Sequence, residues 1–461
     1  VKDHLPSVLV ATLSSAFGVA LLSVTGVLAQ AIRSDDRTGG SAMVAIMLTV
    51  LAIVFLSIAI YVGAVVTANT FATIVAGRRR SIALLRLIGA SAASERRRVA
   101  NGGLIVGVAG AVLGAIVGVG LTAVLTSVGV AHGLLPRIDY SVAEPVLLLP
   151  VIAVVLTTWL ASWVGARRVL TVSPMEATGA AVEPAMTELD SRGGRSRAAL
   201  VFVIVGFALL VLGVLLGLLN PAAVLIGVIG GLLSFTGVVL GAHRVMPVAL
   251  RATGRLFGSS APARLAAENA VRYPERSSRT TIGLVIAVTL ITMFSVATES
   301  YKFIISEAQR AQPELYRGMD ELLTSTVSIF SVLIGFSALI AAVGMVNNLS
   351  LSILQRSREL GLLRALGFTV GQVRAMVLAE SAQLSIASLL VGLLLGTFYG
   401  WAGAQSLFGS IYGAPGLVLP AIPLLLIGVL VAASALLIAV SSIAPARRAT
   451  RVSPVAALAV D

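Results

Sequence analysis

Long apolar runs broken by short polar stretches dominate the chain, and their lengths set the first expectation. A helix crossing the hydrocarbon core of a membrane needs roughly 20 mainly apolar residues. Ten stretches reach or approach that length, at 7–31, 43–75, 102–128, 143–165, 199–219, 222–242, 280–298, 323–350, 376–403 and 421–444. Only Asn220-Pro221 parts the fifth from the sixth, so these two form a hairpin. The first run is too long for a cleavable signal sequence and has no small-residue cleavage site followed by a soluble domain, which makes it a true span. The connectors on the side of the hairpin's turn, at about 31–42, 129–142, 299–322 and 404–420, are too short for a folded domain. The longest of them, with Glu299, Glu307, Glu314, Asp320 and Glu321, reads either as a solvated connector or as a helical extension of the seventh span.

Composition agrees with this pattern. Only 11% of the 461 residues are charged and 57% are hydrophobic, against about 25% charged in an ordinary soluble domain. That excludes a soluble enzyme and a disordered chain. The lack of cysteine excludes a disulfide scaffold, thiol chemistry and cysteine-ligated metal centres. His4, His132 and His243 lie far apart without metal-ligand spacing, so no metal site is expected. A net charge of +13 would suit a nucleic-acid binder if the charges were evenly spread. They are not. With the N-terminus on the cytoplasmic side, 27 of the 33 basic residues fall on that side together with 11 acidic ones. The opposite side holds 6 basic and 9 acidic residues, so the faces carry +16 and −3. Positive loops stay cytoplasmic, which orients ten spans with both termini inside and leaves no case for nucleic acid.

An internal repeat organises the spans. Gly77–Gly89 aligns with Gln355–Gly367 at an offset of 278, pairing Arg78, Arg80, Leu84, Leu85, Arg86 and Gly89 with Arg356, Arg358, Leu362, Leu363, Arg364 and Gly367. Asn69 meets Asn347 and Arg96 meets Arg374 at the same offset. A second block joins Ala166-Arg167-Arg168 and Val172-Ser173-Pro174 to Ala446-Arg447-Arg448 and Val452-Ser453-Pro454 at offset 280. The expected fold is therefore an all-α membrane protein of ten transmembrane helices, arranged as two parallel four-helix repeats joined by a two-helix hairpin. Both termini are cytoplasmic, and there is no large extracellular domain. Residues 1–180 form the first repeat, 181–261 the linker with its hairpin, and 262–461 the second repeat.

Each repeat places a short basic amphipathic segment after its second span. In the second copy Leu360, Leu363, Leu366 and Val370 recur at helical spacing while Arg356, Glu359 and Arg364 point elsewhere. One reading is a surface helix whose arginines meet anionic lipid headgroups. The other is a docking helix for a cytoplasmic partner, favoured because the segment occurs at equivalent places in both halves. The chain itself offers no nucleotide chemistry. A phosphate loop requires Gly-x-x-x-x-Gly-Lys-Ser/Thr, and the two lysines, Lys2 and Lys302, follow Val1 and Tyr301. Gly107, Gly110, Gly114 and Gly118 are helix-packing notches. No nucleophile–base pair can be assembled, so no catalytic residue is expected. Asn69, Asn347 and Glu380 are the costly polar groups within or near spans, suited to interhelical hydrogen bonds, to lining a cavity or, for Glu380, to pairing with an arginine. Phe55, Tyr61, Phe330 and Phe336 face either lipid or a lateral cavity between the halves.

The run Arg356-Ser357-Arg358-Glu359-Leu360-Gly361-Leu362-Leu363-Arg364-Ala365-Leu366-Gly367, with Asn347-Asn348 before it and Gln372-Val373-Arg374 after it, resembles the signature of the FtsX-like permease family. These proteins are the membrane subunits of mechanotransmission (type VII) ABC transporters. The Pro445–Leu458 segment is similar to the family's C-terminal motif, and Asn269–Arg276 resembles the elbow helix ahead of a repeat. The resemblance implies a bacterial plasma-membrane permease that binds no cofactor itself, while ATP and magnesium sit on a cytoplasmic ABC ATPase homodimer. It makes Arg78, Arg80, Leu84, Arg86, Arg356, Arg358, Glu359, Leu363 and Arg364 ATPase-coupling residues. The first copy departs from the motif, with Ser81 and Ala83 where the second has Glu359 and Gly361. The implied function is export, or extraction from the membrane, of a hydrophobic or amphipathic compound such as a drug, antimicrobial peptide or lipid. A signalling device acting on a cell-wall enzyme or sensor kinase is the alternative. An ion-coupled carrier is disfavoured by the scarcity of buried acidic residues.

Overall fold

The computed structural model describes residues 5–34, 42–77, 91–133, 135–165, 193–255, 265–268, 274–314 and 366–435, together with the single residues 327 and 438. Regular structure among the described residues is helical throughout. Seven of these helices are long and apolar enough to cross a membrane, and two shorter apolar ones accompany them. The first half contributes α1 (Leu5–Arg33), α2 (Ala42–Gly77), α3 (Ala92–Ala131) and α4 (Leu148–Gly165). The hairpin is α5 (Gly193–Gly217) and α6 (Val224–Leu240), followed by α7 (Ala242–Gly254). The second half contributes α8 (Pro274–Ala311), α9 (Val370–Phe408) and α10 (Leu424–Ala435). Of the ten predicted spans, 323–350 lies almost wholly outside the described residues, and 421–444 is represented by α10.

The repeat is legible in the helix ends. Adding 278 to the end of α1 at Arg33 gives Ala311, where α8 ends; adding it to the start of α3 at Ala92 gives Val370, where α9 starts. Packing repeats too. On α3, Gly110, Gly114 and Gly118 lie against Ala11, Ser15 and Val19 of α1, so close that a methyl group would meet α1's side chains and backbone. On α9, Gly392, Gly396 and Gly400 approach Val288, Thr292 and Met293 of α8 in the same way. Contacts that advance together along both helices mean parallel pairs, and glycine every fourth residue permits this close approach inside a membrane. Relative to the helix starts, the second seam sits one turn further along α9 than the first does along α3. Helices α3 and α4 are antiparallel, with Gly103 beside Ser162 and Gly107 beside Thr158.

Burial separates the central helices from the lipid-facing ones. The apolar windows of α1 and α8 are 78% and 83% buried, while those of α3, α4 and α5 are only 33%, 28% and 28% buried. In water, exposed Ile105, Ile116, Leu160, Leu200 and Ile204 would be an aggregation surface. In a bilayer they are the lipid contact. Repeat-equivalent α1 and α8 are thus the cores of their halves.

The hairpin turn forms as its sequence requires. The Asn220 side-chain oxygen accepts from the Ala222 amide at 2.8 Å, and Pro221 opens a single 3₁₀ turn leading into α6. The antiparallel pair is tight because Gly206, Gly213, Gly230 and Gly237 remove the side chains between α5 and α6. Helix α7 falls between the sixth and seventh predicted spans, where no apolar run announces a helix. Met246, Leu250 and Thr253 make its buried face while Arg244 and Arg251 are exposed. It packs on α8 and α9, where buried Gln383 donates to the Leu250 carbonyl at 2.8 Å.

Candidate functional site

The predicted coupling residues Arg78, Arg80, Leu84, Arg86, Arg356, Arg358, Glu359, Leu363 and Arg364 lie outside the described residues, as does Asn347. What the structure gives is the frame that delivers both segments. Ser91 caps α3, its hydroxyl accepting from the Ser94 amide at 3.1 Å. At the equivalent place Thr369 caps α9 and accepts from the Gln372 amide at 3.2 Å, while the Gln372 side chain accepts from the Thr369 amide at 2.9 Å. This reciprocal box satisfies two donors that a helix start otherwise leaves unpaired. Just before it, Gly367 has φ +99, a left-handed conformation that a side chain would strain. The chain therefore leaves the second basic segment through a fixed corner.

Beside the first cap, the guanidinium of Arg96 stacks over Trp163 of α4 at 4.1 Å, a cation–π contact. The Ser162 hydroxyl donates to the Val99 carbonyl at 2.8 Å. The entrance to α3 is thereby locked to the end of α4, next to the first basic segment.

Of the predicted polar residues within helices, Asn69 belongs to the last turns of α2, and Glu380 lies half-buried on α9. Glu380 is not among the described residues that line a cavity of about 150 Å³ between α2, α6, α8 and α9. Phe55 and Tyr61 do line it, whereas Phe330 and Phe336 fall outside the described residues. Its walls are apolar, with Phe55 edge-on to Phe294, and Phe235 edge-on to both Tyr61 and Tyr399. The polar atoms are few and oriented. Thr236 spends its one hydroxyl proton on the Leu232 carbonyl at 2.6 Å, so the Tyr61 hydroxyl donates to Thr236 at 2.7 Å. Ser234 likewise donates to the Gly231 carbonyl at 3.0 Å and accepts from the Tyr399 hydroxyl at 2.9 Å. Tyr399 and Thr236 carried no signal that sequence reasoning could use, because a single hydroxyl in an apolar run looks alike whether it faces lipid or a pocket.

The cavity lies toward the end of the helices remote from the arginines. On α9 its lining starts at Tyr399 and ends at Phe408, the final residue; on α6 it runs from Val224 to Phe235. Above it, Gln405 is fully buried, donates to the Gly416 carbonyl at 2.8 Å and accepts from the Val418 amide at 3.2 Å. The indole of Trp401 donates to the Val418 carbonyl at 2.6 Å. These bonds pin the 409–423 connector to the end of α9.

A family model described as FtsX-like permease C-terminal matches residues 53–174 and 331–454, so the two copies of the repeat are matched separately. Over 145 residues the chain is 31% identical to an uncharacterized ABC transporter permease, YknZ, of Bacillus subtilis (strain 168), covering 32% of this chain and 34% of that protein. Over 155 residues it is 32% identical to the macrolide export ATP-binding/permease protein MacB of Nitrobacter winogradskyi, covering 33% of this chain and 21% of that protein. The chain thus spans about a third and about a fifth of the length of these two relatives.

Proposed function

Since this chain belongs to the FtsX-like permease family, whose model matches just over half of it, we propose that it is the permease subunit of an ABC exporter driven by a separate ATPase. Its membership and its apolar helices make it a multi-pass protein of the bacterial plasma membrane. Two copies of a cytoplasmic ATPase dock on the basic segments 78–89 and 356–367, and they alone hold ATP and magnesium. Ten spans with both termini inside complete the arrangement. ATP-driven closure of the pair pulls on both segments, and the cargo is a hydrophobic or amphipathic compound exported or extracted from the bilayer.

The single observation that carries this reading is the pair of equivalent, hydroxyl-capped helix starts at Ala92 and Val370, 278 residues apart. A duplicated rigid exit from a duplicated basic segment suits two identical partners better than it suits headgroups, which need no such symmetry. The name of the MacB relative, a macrolide exporter with an ATP-binding part, supports an export role. Reconstitution with the ATPase in nanodiscs tests it. Turnover stimulated by members of a panel of drugs, peptides and lipids is expected. Stimulation by none, with altered wall-hydrolase activity in a deletion strain, would replace export by signalling.

A further inference from the structure

We propose that the cavity between α2, α6, α8 and α9 is a binding site for an uncharged, ring-bearing moiety with a hydroxyl or amide group, entered from the outer half of the bilayer. The inference rests on the export reading for its biological use, but the site stands on its own geometry.

Three observations converge on it. First, size: about 150 Å³ is room for one aromatic or aliphatic ring, since an engineered apolar cavity of about that volume stays dry and binds benzene. It is too small for a whole drug-sized molecule, which needs roughly 300 Å³ or more. The site holds one ring and leaves the rest of the ligand outside. Second, the space is kept open by glycines that packing does not demand. Among the described residues a methyl group at Gly403 would meet nothing within 4 Å, and one at Gly231 would meet only a methyl of Leu210 at 3.9 Å. Both line the cavity. Nearby Gly400 and Gly230 are pressed against backbone and could not be replaced cheaply.

Third, the wall offers unused polar capacity. Thr289 lines the cavity, and its hydroxyl, buried just behind that surface, has no hydrogen-bond partner among the described residues. A buried polar group without a partner is costly, and a ligand that pairs with it recovers that cost. The phenol oxygens of Tyr61 and Tyr399 have already given up their protons to Thr236 and Ser234, which leaves their lone pairs able to accept. The ligand therefore both donates and accepts. Among the described residues no Asp, Glu, Lys or Arg lines the site, so a full charge at this depth would find no partner among them.

Photolabelling of the purified full chain in nanodiscs tests the site without any ATPase. The probe is trifluoromethyl-diazirinyl benzyl alcohol, a neutral ring with one hydroxyl, mapped by peptide mass spectrometry. Label is expected on 51–62, 224–235, 286–297 and 399–408 in excess of the lipid-facing side of α3 around Ile105 and Ile116. Gly403→Leu and Gly231→Leu, two independent fillings, are each expected to bring that excess down to the α3 level while the α3 signal stays constant. Thr289→Val is expected to reduce it for this probe and to leave labelling by a probe lacking the hydroxyl unchanged. Equal labelling of cavity and α3, or an excess that survives both fillings, would overturn the proposal. Failure of the export reading would appear separately, as an ATPase indifferent to every cargo despite a cavity that labels.

Discussion

At the scale of single residues, side-chain volume decides the roles in α9. Gly400 and Gly403 stand three positions apart, yet a methyl group at Gly400 runs into the Met293 carbonyl and the Ala297 amide while one at Gly403 meets nothing within 4 Å among the described residues. Gly400→Ala should therefore cost about 1–3 kcal/mol through forced separation of α8 and α9, the usual range for overpacking. Gly403→Ala should leave stability unchanged or slightly raised. Thermal unfolding of the two variants in the same detergent checks the contrast. Gln383 offers a second test. Gln383→Leu removes the bond from α9 to the Leu250 carbonyl, which keeps the Thr253 hydroxyl as a donor at 3.2 Å, and the lost bond should cost about 0.5–1.5 kcal/mol and loosen α7 from α9. Faster amide exchange confined to residues 242–254 would report it. If exchange in α7 stays at the wild-type level, the bond does not hold the helix.

Elements show how much of this architecture was written in the sequence. Apolar run length located α1 to α6, α8 and α9, because the bilayer sets one length for every span. The Asn220-Pro221 turn and the glycine seams were equally open, since each depends on residues adjacent in sequence or repeating every fourth position. Helix α7 was not. Its buried positions, Met246, Leu250 and Thr253, sit among arginines and are separated by Pro247, so the window average resembles a loop. The cavity was half legible: Phe55 and Tyr61 stood out as aromatics, but Tyr399 joined its wall, and Ser234 and Thr236 became the partners of the two tyrosine hydroxyls, only when α6 met α2 and α9. The caps at Ser91 and Thr369 stand 278 residues apart, the offset of the repeat, and they differ in a way that predicts unequal strength. Ser91→Ala removes the one bond from the Ser94 amide, while Thr369→Ala removes two, those of its hydroxyl with the Gln372 amide and side chain, and leaves the Thr369 amide bonded to Gln372. Each should cost about 0.5–2 kcal/mol, with Thr369 the larger, and ATPase stimulation should fall more for Thr369→Ala than for Ser91→Ala. Equal losses would mean that the box adds nothing to coupling.

On the scale of the whole molecule, two repeats with buried centres, α1 and α8, are bridged by a hairpin that packs on both. Tyr61 of α2 reaches Thr236, while Ser406 of α9 lies directly against Gly217 and the Phe398 ring stacks on Phe207 at 4.8 Å. Helices α2 and α9 are each continuous from the end that adjoins a basic segment to the cavity wall. The orientation is open to a direct check because the chain has no cysteine. Single cysteines at the exposed positions Ser141 and Tyr412 should react with an impermeant maleimide in intact cells, and one at Arg97 should react only after lysis. The reverse pattern would invert the charge-based orientation. The central claim, two equivalent docking segments for an ATPase pair, is tested most directly by native mass spectrometry of the complex extracted from membranes. Two ATPase chains per permease are expected for the wild type. Arg80→Glu with Arg86→Glu, or Arg358→Glu with Arg364→Glu, should each weaken binding, and all four together should leave the permease bare. A quadruple variant that still inserts in the membrane and still carries two ATPase chains would contradict the account.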